Sequence, residues 1–426
     1  MANFTLHDGQ FVPRNLTALL NRSLKISPVV VLQGARQTGK STLVQTLEVN
    51  DKPIRYVSLD EAPVLAAATR DPVSFVASVT STLVIDEVQR VPDLFLAIKT
   101  EVDRNRQPGR FLLTGSANAL MLPRIADSLA GRVQILTLRS FSQDEIALRQ
   151  SSFIDALFDR ANYGAMLEPF ISYPLDRETL IEKIIRGGYP FSIQHADATD
   201  RQLLFNSYIT TILQRDVRDL ANIEGLVLVP QLLSLLATRS SALLNLSDLS
   251  RSIGIPYNTL RRYLSLLETI FFIWRLPAWS NNLGLRLSKS PKLMMSDTGL
   301  MAHVIGADQQ RLINDPNLMG IFLETFVANE LSKLLSWSKM IAQLYHFQTV
   351  TQQEVDIVLE RQDGALIGIE VKASATVGGK DFKGLEALRQ ATGQKFSCGI
   401  VLYTGERVVP FDTNLLAVPI AALWGG

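Results

Sequence analysis

The most chemically informative residues are the eight from Gly34 to Ser41, which read Gly-Ala-Arg-Gln-Thr-Gly-Lys-Ser. They fit the pattern G-x-x-x-x-G-K-[ST], in which backbone N–H groups of a glycine-rich loop surround phosphate oxygens at the start of a helix. In this pattern the lysine, Lys40, reaches the β and γ phosphates, and the hydroxyl of Ser41 binds Mg²⁺. We therefore predict a site for ATP and Mg²⁺. The other predicted nucleotide contacts are Gly34, Arg36, Gln37, Thr38, Gly39 and Thr42.

Two carboxylates, Asp86 and Glu87, follow an apolar segment at residues 83–85. In enzymes with a phosphate-binding loop of this kind, an acid after a buried strand holds Mg²⁺. A second acid can polarise the water that attacks phosphorus. We predict the first role for Asp86, which also contacts nucleotide, and the second for Glu87. The alternative is a buried strand that simply ends in solvated acids, and the intact loop upstream favours the catalytic interpretation.

A third apolar strand, at 111–113, ends in small polar residues. Ser116 or Asn118 is placed to donate a hydrogen bond to the water or to the γ-phosphate, and we predict Ser116 as a nucleotide contact. A plain turn after the strand would have the same composition.

Near the C-terminus, a strand at 354–360 is followed by a turn and by a second strand at 366–372. Side chains two residues apart on a strand point the same way, so Glu370 and Lys372 project together, and a hairpin places Asp356 beside them. Two carboxylates and a lysine at one point are suited to a divalent-metal site with a group that activates water. We predict Asp356 and Glu370 as metal ligands and all three as catalytic residues, against the alternative of ordinary surface charges.

The segment from Leu246 to Leu264 has the spacing of a helix-turn-helix, with Gly254 in the turn. This spacing leaves an outward face made of Tyr257, Asn258, Arg261 and Arg262. Seven basic residues and one acidic residue lie between Arg251 and Lys292, and Arg286, Lys289 and Lys292 fall where a wing would be. Such an excess is typical of phosphate contact, so double-stranded DNA is one predicted partner. A structural or protein-docking role is equally open.

Alternating strands and helices must position these residues. Apolar runs at 29–32, 54–57, 82–85 and 111–113, separated by helical stretches, predict a parallel α/β sheet. Residues 141–225 are predicted to be mostly helical, with a turn at 187–190. A helix at 318–335 and strands at 343–348, 354–360 and 365–372 predict a second α/β unit.

The whole chain has 426 residues, 47% hydrophobic and 19% charged, and a formal net charge of +1, which is typical of a folded protein with several domains. A single cysteine excludes an intrachain disulfide or a cysteine-rich metal site and favours a reducing cytoplasm. The first residues lack the pattern of a secretory signal, and no apolar run is long enough for a bilayer, so no membrane association is expected.

The phosphate loop, the strand Leu83–Gln89, Thr114-Gly115-Ser116 and the segment Ser128–Arg132 together resemble AAA-type prokaryotic ATPases that carry a C-terminal domain of unknown function. That family is close to the archaeal-type and STAND-like ATPases. Three further motifs extend the resemblance over nearly the whole chain, namely 187–190, Arg215-Asp216 and 297–300.

The resemblance implies that Arg132 contacts nucleotide phosphates, in cis or from a neighbouring subunit of a homo-oligomer, with Arg186 and Arg215 as weaker candidates. An arginine suits this task because its charge is permanent and its donors match phosphate geometry. A structural salt bridge is the alternative for each of the three.

The C-terminal pattern resembles the restriction-endonuclease-like superfamily, in which an Asp and a Glu-x-Lys carry the chemistry and a preceding helix often adds an acid. Glu324 fits that additional position. The resemblances together imply an AAA-like P-loop ATPase at 1–140, a helical lid at 141–225, a winged helix-turn-helix at 226–305 and a restriction-endonuclease-like α/β domain at 306–426.

These predictions favour a cytoplasmic, DNA-associated ATPase with a nuclease-like domain. Its main rival is a regulatory NTPase switch whose last two domains dock protein or DNA without catalysis. A processive helicase is less supported, because no further helicase motif is recognised.

Overall fold

The computed structural model describes residues 12–47, 54–79, 81–116, 129, 131–159, 175–214 and 228–425. Contacts divide the chain into two compact units. Unit one comprises residues 1–141, 189–194 and 265–272, and unit two comprises residues 142–188, 195–264 and 273–426. The two units are described separately below.

Helices are present in both units, as the spacing of apolar residues predicts. In unit one they are α1 (Thr17–Ile26), α2 (Lys40–Gln45), α3 (Ala62–Arg70), α4 (Pro72–Ala77), α5 (Leu94–Arg104) and, later in the chain, α9 (Pro190–Gln194). The others are α6 (Gln143–Ile146), α7 (Phe153–Leu157), α8 (Arg177–Arg186), α10 (Ala198–Ile212), α11 (Leu228–Thr238), α12 (Leu246–Ile253), α13 (Tyr257–Thr269), α14 (Leu283–Ser288), α15 (Thr298–Ile305), α16 (Gln309–Asn314), α17 (Pro316–Leu335) and α18 (Lys383–Thr392). None of these described helices is both long enough and apolar enough to cross a bilayer.

Unit one is built on a parallel sheet, as predicted, and the sheet contains the four predicted strands and a fifth strand, at 133–137, that was not predicted. Its strands are β1 (Val29–Gln33), β2 (Ile54–Ser58), β3 (Thr82–Asp86), β4 (Phe111–Gly115) and β5 (Val133–Thr137). Their order across the sheet is β2-β3-β4-β1-β5. Because the strands are parallel, the loops after β1, β3 and β4 all leave from the same edge, which is where such sheets bind ligands.

The strands of this sheet are apolar throughout because both faces are covered. Val30, Leu32 and Leu112 pack with α1 in one core, whereas Val29 and Val31 pack with α5 in the other. Successive side chains on a strand point to opposite faces, so continuous valine and leucine runs serve both cores at once.

Unit two contains a six-stranded mixed sheet. Its strands are β8 (Ala342–Gln348), β9 (Glu354–Arg361), β10 (Leu366–Lys372), β11 (Phe396–Tyr403), β12 (Val409–Asp412) and β13 (Leu415–Pro419), in the order β12-β13-β11-β10-β9-β8. β8, β9 and β10 are antiparallel neighbours, and β10, β11 and β13 run parallel. A separate antiparallel pair is formed by β6 (Ile273–Leu276) and β7 (Lys292–Met295). The predicted second α/β unit, with its helix before the hairpin, is therefore confirmed.

Two of the glycine motifs meet inside unit two. Asp297 caps the start of α15 by accepting hydrogen bonds from the backbone N–H groups of Gly299 (2.9 Å) and Leu300 (3.1 Å), and it also accepts one from Gly188 (2.8 Å). Gly187 has φ 68°, and a Cβ on it would overlap the Asp297 carboxylate. A side chain at Gly299 would overlap the carbonyl of Arg186. The residue types at 187–188 and 297–300 are therefore explained by the close packing of the two backbone segments.

Candidate functional site

The loop after β1 has the backbone that phosphate binding requires. Gly34 has φ 155°, and a Cβ there would overlap the carbonyl oxygen of Leu138. Gly39 has φ 93° and stands immediately before α2. Both are conformations that glycine adopts without strain, so the two glycines of the motif are needed for the shape of the loop. Lys40, Ser41 and Thr42 then form the first turn of α2, where backbone N–H groups have no partner within the helix.

Lys40 is folded onto this loop. Its side chain is 5% exposed, and Nζ donates to the carbonyl oxygens of Gly34 (2.9 Å) and Ala35 (2.7 Å). Thr38 donates from Oγ1 to the same Ala35 carbonyl at 2.9 Å. The amine is therefore held by the backbone of the loop, and its contact with a phosphate group stays a prediction.

Arg14, which no sequence motif identified, stabilises the loop through hydrogen bonds to backbone carbonyls. Arg14 donates from Nη1 to the carbonyl of Thr38 and from Nη2 to the carbonyl of Arg139, both at 2.8 Å. Its guanidinium lies 4.4 Å from the ring centroid of Phe141. Arg14 therefore joins the segment before α1, the phosphate loop and the residues after β5.

Asp86, at the end of β3, is oriented by two hydroxyl groups. Tyr56 on β2 donates to Oδ2 at 2.7 Å, and Thr114 on β4 donates to Oδ1. Burial and the bond to Asp86 raise the pKa of Tyr56, so its phenol remains a proton donor at neutral pH. Both carboxylate oxygens are thus fixed by neighbouring strands.

Glu87 adopts a left-handed backbone conformation with φ 57°, which is uncommon for a residue other than glycine. Its backbone N–H donates to Thr114 Oγ1 at 3.3 Å, and its Oε2 accepts from Ser116 at 3.1 Å and from Gln89. Gln89 also donates to Ser116 Oγ at 3.0 Å. The structure therefore brings Ser116 to Glu87, whereas the predicted contact of Ser116 with the nucleotide stays a prediction. Asn118 lies outside the described residues.

Arg132 lies far from this edge of the sheet. It precedes β5, whose register pairs Val133 with Val29 and Thr137 with Gln33, so Arg132 is at the opposite strand end from the phosphate loop. Five residues of strand separate the two edges by roughly 16 Å. Arg132 forms a two-pronged ion pair with Asp103, from Nε at 2.6 Å and from Nη2 at 3.1 Å, and this bond lowers the pKa of Asp103. The position disfavours the expected contact in cis, whereas a contact from a neighbouring subunit stays a prediction.

The two weaker arginine candidates are Arg186 and Arg215. Arg186 ends α8 in unit two, next to the packed glycines. Arg215 and Asp216 lie outside the described residues.

In unit two, the three predicted residues of the hairpin are brought together. The register of β9 and β10 pairs Ile357 with Ile369, which places Asp356 and Glu370 one step further along. Asp356 accepts a hydrogen bond at Oδ2 from the backbone N–H of Val371 at 2.9 Å, and Lys372 donates to Glu370 Oε1 at 2.8 Å. Glu370 is 8% exposed, and its second oxygen, Oε2, is buried without a hydrogen-bond partner in the part of the chain that the structure describes.

Two more charged side chains complete this group. Glu324 on α17 accepts from Lys292 Nζ at 2.7 Å, and the same Nζ lies 3.3 Å from Asp356 Oδ1. We call Lys292, Glu324, Asp356, Glu370 and Lys372 the carboxylate cluster. Burial, reinforced by the charge on Asp356, raises the pKa of Glu324 and that of Glu370 to about 8. The charged forms of these two carboxyl groups are therefore disfavoured in this buried site.

Family models match three parts of the chain. Residues 27–147 match the model described as an AAA domain, and they contain the loop, Asp86 and Glu87. The chain carries an AAA-type P-loop ATPase domain. Beyond the ATPase domain, residues 177–311 and 319–423 match two domains of unknown function, DUF8612 and DUF4143. The predicted combination of an AAA-type ATPase with a C-terminal domain of unknown function is confirmed.

Proteins similar to this chain come from archaea and bacteria. A Walker-type ATPase of Pyrococcus abyssi is 14% identical, with a TM-score of 0.42, over 71% of this chain and 98% of that one. A DNA polymerase III gamma subunit-related protein of Thermotoga maritima is 10% identical, with a TM-score of 0.21, over 60% and 97%. Uncharacterised proteins of Mycobacterium tuberculosis and Mycobacterium bovis are each 29% identical over 95% of this chain and 83% of their own. The similarity to the mycobacterial proteins thus extends well past the ATPase domain.

The predicted helix-turn-helix is formed by α12 and α13, with Gly254 between them at φ 71°. Leu260 and Leu264 are buried. The predicted outward residues, Tyr257, Asn258, Arg261 and Arg262, are all exposed.

The predicted basic wing is wrong in two of its three residues. Lys292 is buried in the carboxylate cluster, and Arg286 is bound by Glu360 through two contacts of 2.5 and 2.8 Å. Lys289 is exposed, with Nζ 3.2 Å from the carbonyl of Gln348. Counting basic residues along the chain missed this difference, because the acids that neutralise Arg286 and Lys292 lie far away in sequence.

Proposed function

We propose that the ATPase domain hydrolyses ATP with Glu87 as general base and with Mg²⁺ held by Ser41 and Asp86. The observation that supports this most is the shared anchor at Thr114. Its hydroxyl donates to Asp86 and accepts from the backbone N–H of Glu87, so one residue fixes the metal ligand and the base relative to each other. Fixed positions of this kind are what phosphoryl transfer requires, because catalysis depends on positioning and on electrostatics.

Two features of the loop support the binding of a triphosphate. A side chain at Gly34 would overlap the backbone, and the Lys40 amine already sits inside the loop. When bound, Mg²⁺ would neutralise charge on the β and γ phosphates. Asp86 is suited to hold the ion because Tyr56 and Thr114 fix both of its oxygens.

Glu87 is suited to accept a proton from water. Ser116 and Gln89 bind one carboxylate oxygen, Oε2, and thereby set the orientation of the other. Proton abstraction by a positioned carboxylate contributes about 10²- to 10⁴-fold to the rate of such reactions.

The test is the substitution Glu87→Gln, which keeps the size of the side chain and removes its basicity. We expect ATP turnover to fall by about 10²- to 10⁴-fold, while the affinity for ATP, measured by fluorescence titration of a labelled analogue, stays unchanged. The exposed Glu61→Gln is the matched control and should keep full turnover. Normal turnover by Glu87→Gln would remove Glu87 from the mechanism.

A second candidate activity is metal-dependent cleavage of DNA at the carboxylate cluster. It is favoured by the convergence of Asp356, Glu370 and Lys372, together with the buried and unpartnered Oε2 of Glu370. A buried carboxylate oxygen without a donor is costly unless a cation or a proton satisfies it. Among the described residues, no group of three or more acidic, histidine or cysteine side chains is already arranged around a metal position. Asp356 and Glu370 would therefore share the ion with water and with a phosphate of DNA.

In this role Lys372 would polarise water for attack on phosphorus. Its side chain is partly exposed, and Glu370 raises its pKa against the opposing effect of burial, so it stays protonated. Contact of DNA with α12 and α13 remains a prediction, now limited to the exposed Arg261, Arg262 and Lys289. The rival function is a docking module that uses the same fold without catalysis.

Metal binding at this site should depend on pH. Glu370 binds a divalent ion only when it is ionised, and its pKa is raised to about 8. Below that pH the ion must displace a proton, so the affinity for Mn²⁺ should fall by up to about tenfold per pH unit and should level off above about pH 8. Calorimetric titration between about pH 6 and about pH 8.5, in two buffers of different ionisation enthalpy, would detect the released proton. An affinity that does not change over this range would contradict the role of Glu370.

A further inference from the structure

The carboxylate cluster contains a cation supplied by the protein itself. Lys292 is 3% exposed, and its Nζ lies between Glu324 (2.7 Å) and Asp356 (3.3 Å). Burial alone would lower the pKa of Lys292, but the charges on Asp356 and Glu324 raise it instead, so the side chain is an ammonium ion. The position between these two carboxylates is therefore taken by the Lys292 side chain, whose Nζ is within hydrogen-bond distance of both.

The backbone of Lys292 is held in place on two sides. It pairs with Leu276 of β6 and with Leu243, and the carbonyl of the preceding Pro291 accepts from the Leu244 N–H at 2.8 Å. The backbone of Lys292 therefore cannot move away from the cluster without the loss of this pairing.

The charges of the cluster divide into two parts. On one side Lys292 neutralises Glu324 and shares Asp356. On the other side Lys372 binds one oxygen of Glu370, and the second oxygen has no partner in the described structure. The nearby His346 adds no charge, because burial, followed by the charge of Lys292, lowers its pKa to about 4. The buried carboxylate oxygen that has no hydrogen-bond donor in the described structure therefore lies on the Glu370 side of the cluster, away from Lys292.

We propose that Lys292 occupies a cation position that a divalent ion would otherwise fill, so that Glu324 is not a metal ligand and the cluster binds at most one ion, between Asp356 and Glu370. The proposal rests on the metal site suggested above. It changes the expected role of Glu324, which becomes the partner of an internal cation. Lys292 acts here as a positioning residue that limits the number of ions.

The experiment counts bound Mn²⁺ by calorimetry and by electron paramagnetic resonance, on the full-length chain without nucleotide. The variant Lys292→Met should bind one more ion per chain than the wild type, because Glu324 and Asp356 are freed. Combining it with Glu324→Gln should return the count to that of the wild type. The matched control is Lys333→Met, since Lys333 is equally buried and is paired with Glu330 at 2.8 Å outside the cluster. It should not change the count.

A folded Lys292→Met that binds no additional ion would overturn the proposal. Removal of one partner from a buried ion pair is destabilising, so Lys292→Met is expected to be less stable than the wild type. A second measurement therefore uses variants that keep Lys292. Glu324→Gln alone should leave the number of ions unchanged, whereas Glu370→Gln should lower it. Loss of the ion in Glu324→Gln would equally overturn the proposal. If the wild type binds no Mn²⁺, the metal site of the proposed function fails, yet an ion gained by Lys292→Met would still support the role of Lys292.

Discussion

Replacing Lys40 by alanine is expected to abolish ATP binding and hydrolysis together. Lys40 is 5% exposed, and its amine donates to two carbonyl oxygens of the phosphate loop, at 2.9 and 2.7 Å. No other lysine is part of this loop, 34–41. Removal of a preorganised charge that faces a transferring phosphoryl group costs on the order of 10²- to 10³-fold in turnover, and here binding is lost as well.

The measurement is steady-state phosphate release together with equilibrium binding of a fluorescent ATP analogue. Lys25→Ala is the matched control, because Lys25 is an exposed lysine of α1 in the same unit. We expect the control to match the wild type in both assays. Full ATPase activity in purified Lys40→Ala protein would show that the nucleotide site lies elsewhere.

The second large effect is expected at the carboxylate cluster. Asp356→Ala and Glu370→Ala should each abolish Mn²⁺ binding and the nicking of plasmid DNA, because the ion would lose one of its two protein ligands. If the ion supplies about 4 kcal/mol of stabilisation to the transition state, its loss lowers the cleavage rate by about 10³-fold. ATP hydrolysis should be nearly unchanged, since the ATPase site is formed by other residues.

Nicking is measured on supercoiled plasmid with Mg²⁺ or Mn²⁺, with and without ATP. Asp363→Ala is the control, because this exposed acid lies in the turn between the same two strands and is paired with Arg361. Cleavage that survives undiminished in both Asp356→Ala and Glu370→Ala would contradict a catalytic role of the carboxylate cluster. Failure of the wild type to bind a divalent ion and to cut single- or double-stranded DNA would favour the docking module.

The sequence was sufficient for features that depend on local pattern. The phosphate loop, the buried strands of unit one and the hairpin that carries Asp356, Glu370 and Lys372 were all predicted, because apolar period and motif spacing determine them. The side chains that bind and orient Asp86 and Glu87 were not predicted. Tyr56 reaches Asp86 from a neighbouring strand, and Gln89 donates to Glu87, which adopts a left-handed backbone conformation.

The partners and the exposure of charged side chains were the least predictable features. Lys292 was predicted to belong to an exposed basic wing, since its neighbours along the chain are basic. Its partners, Glu324 and Asp356, are 32 and 64 residues away. Pairing at such separation depends on tertiary packing and leaves no local signal. The same holds for Arg132, whose position at the far end of β5 follows only from the strand register.

The contacts of Arg14 affect where a truncated ATPase domain can begin. The family match begins at residue 27, yet Arg14 holds the carbonyls of Thr38 and Arg139, and Leu16, Leu20 and Leu24 fill one core of the sheet. A fragment that begins at residue 27 would lose the hydrogen bond from Arg14 to the phosphate loop. It would also lose the leucine side chains that cover one face of the sheet. The smallest autonomous fragment therefore has to start upstream of Arg14, some way before the first residue that a domain boundary drawn from sequence similarity would keep.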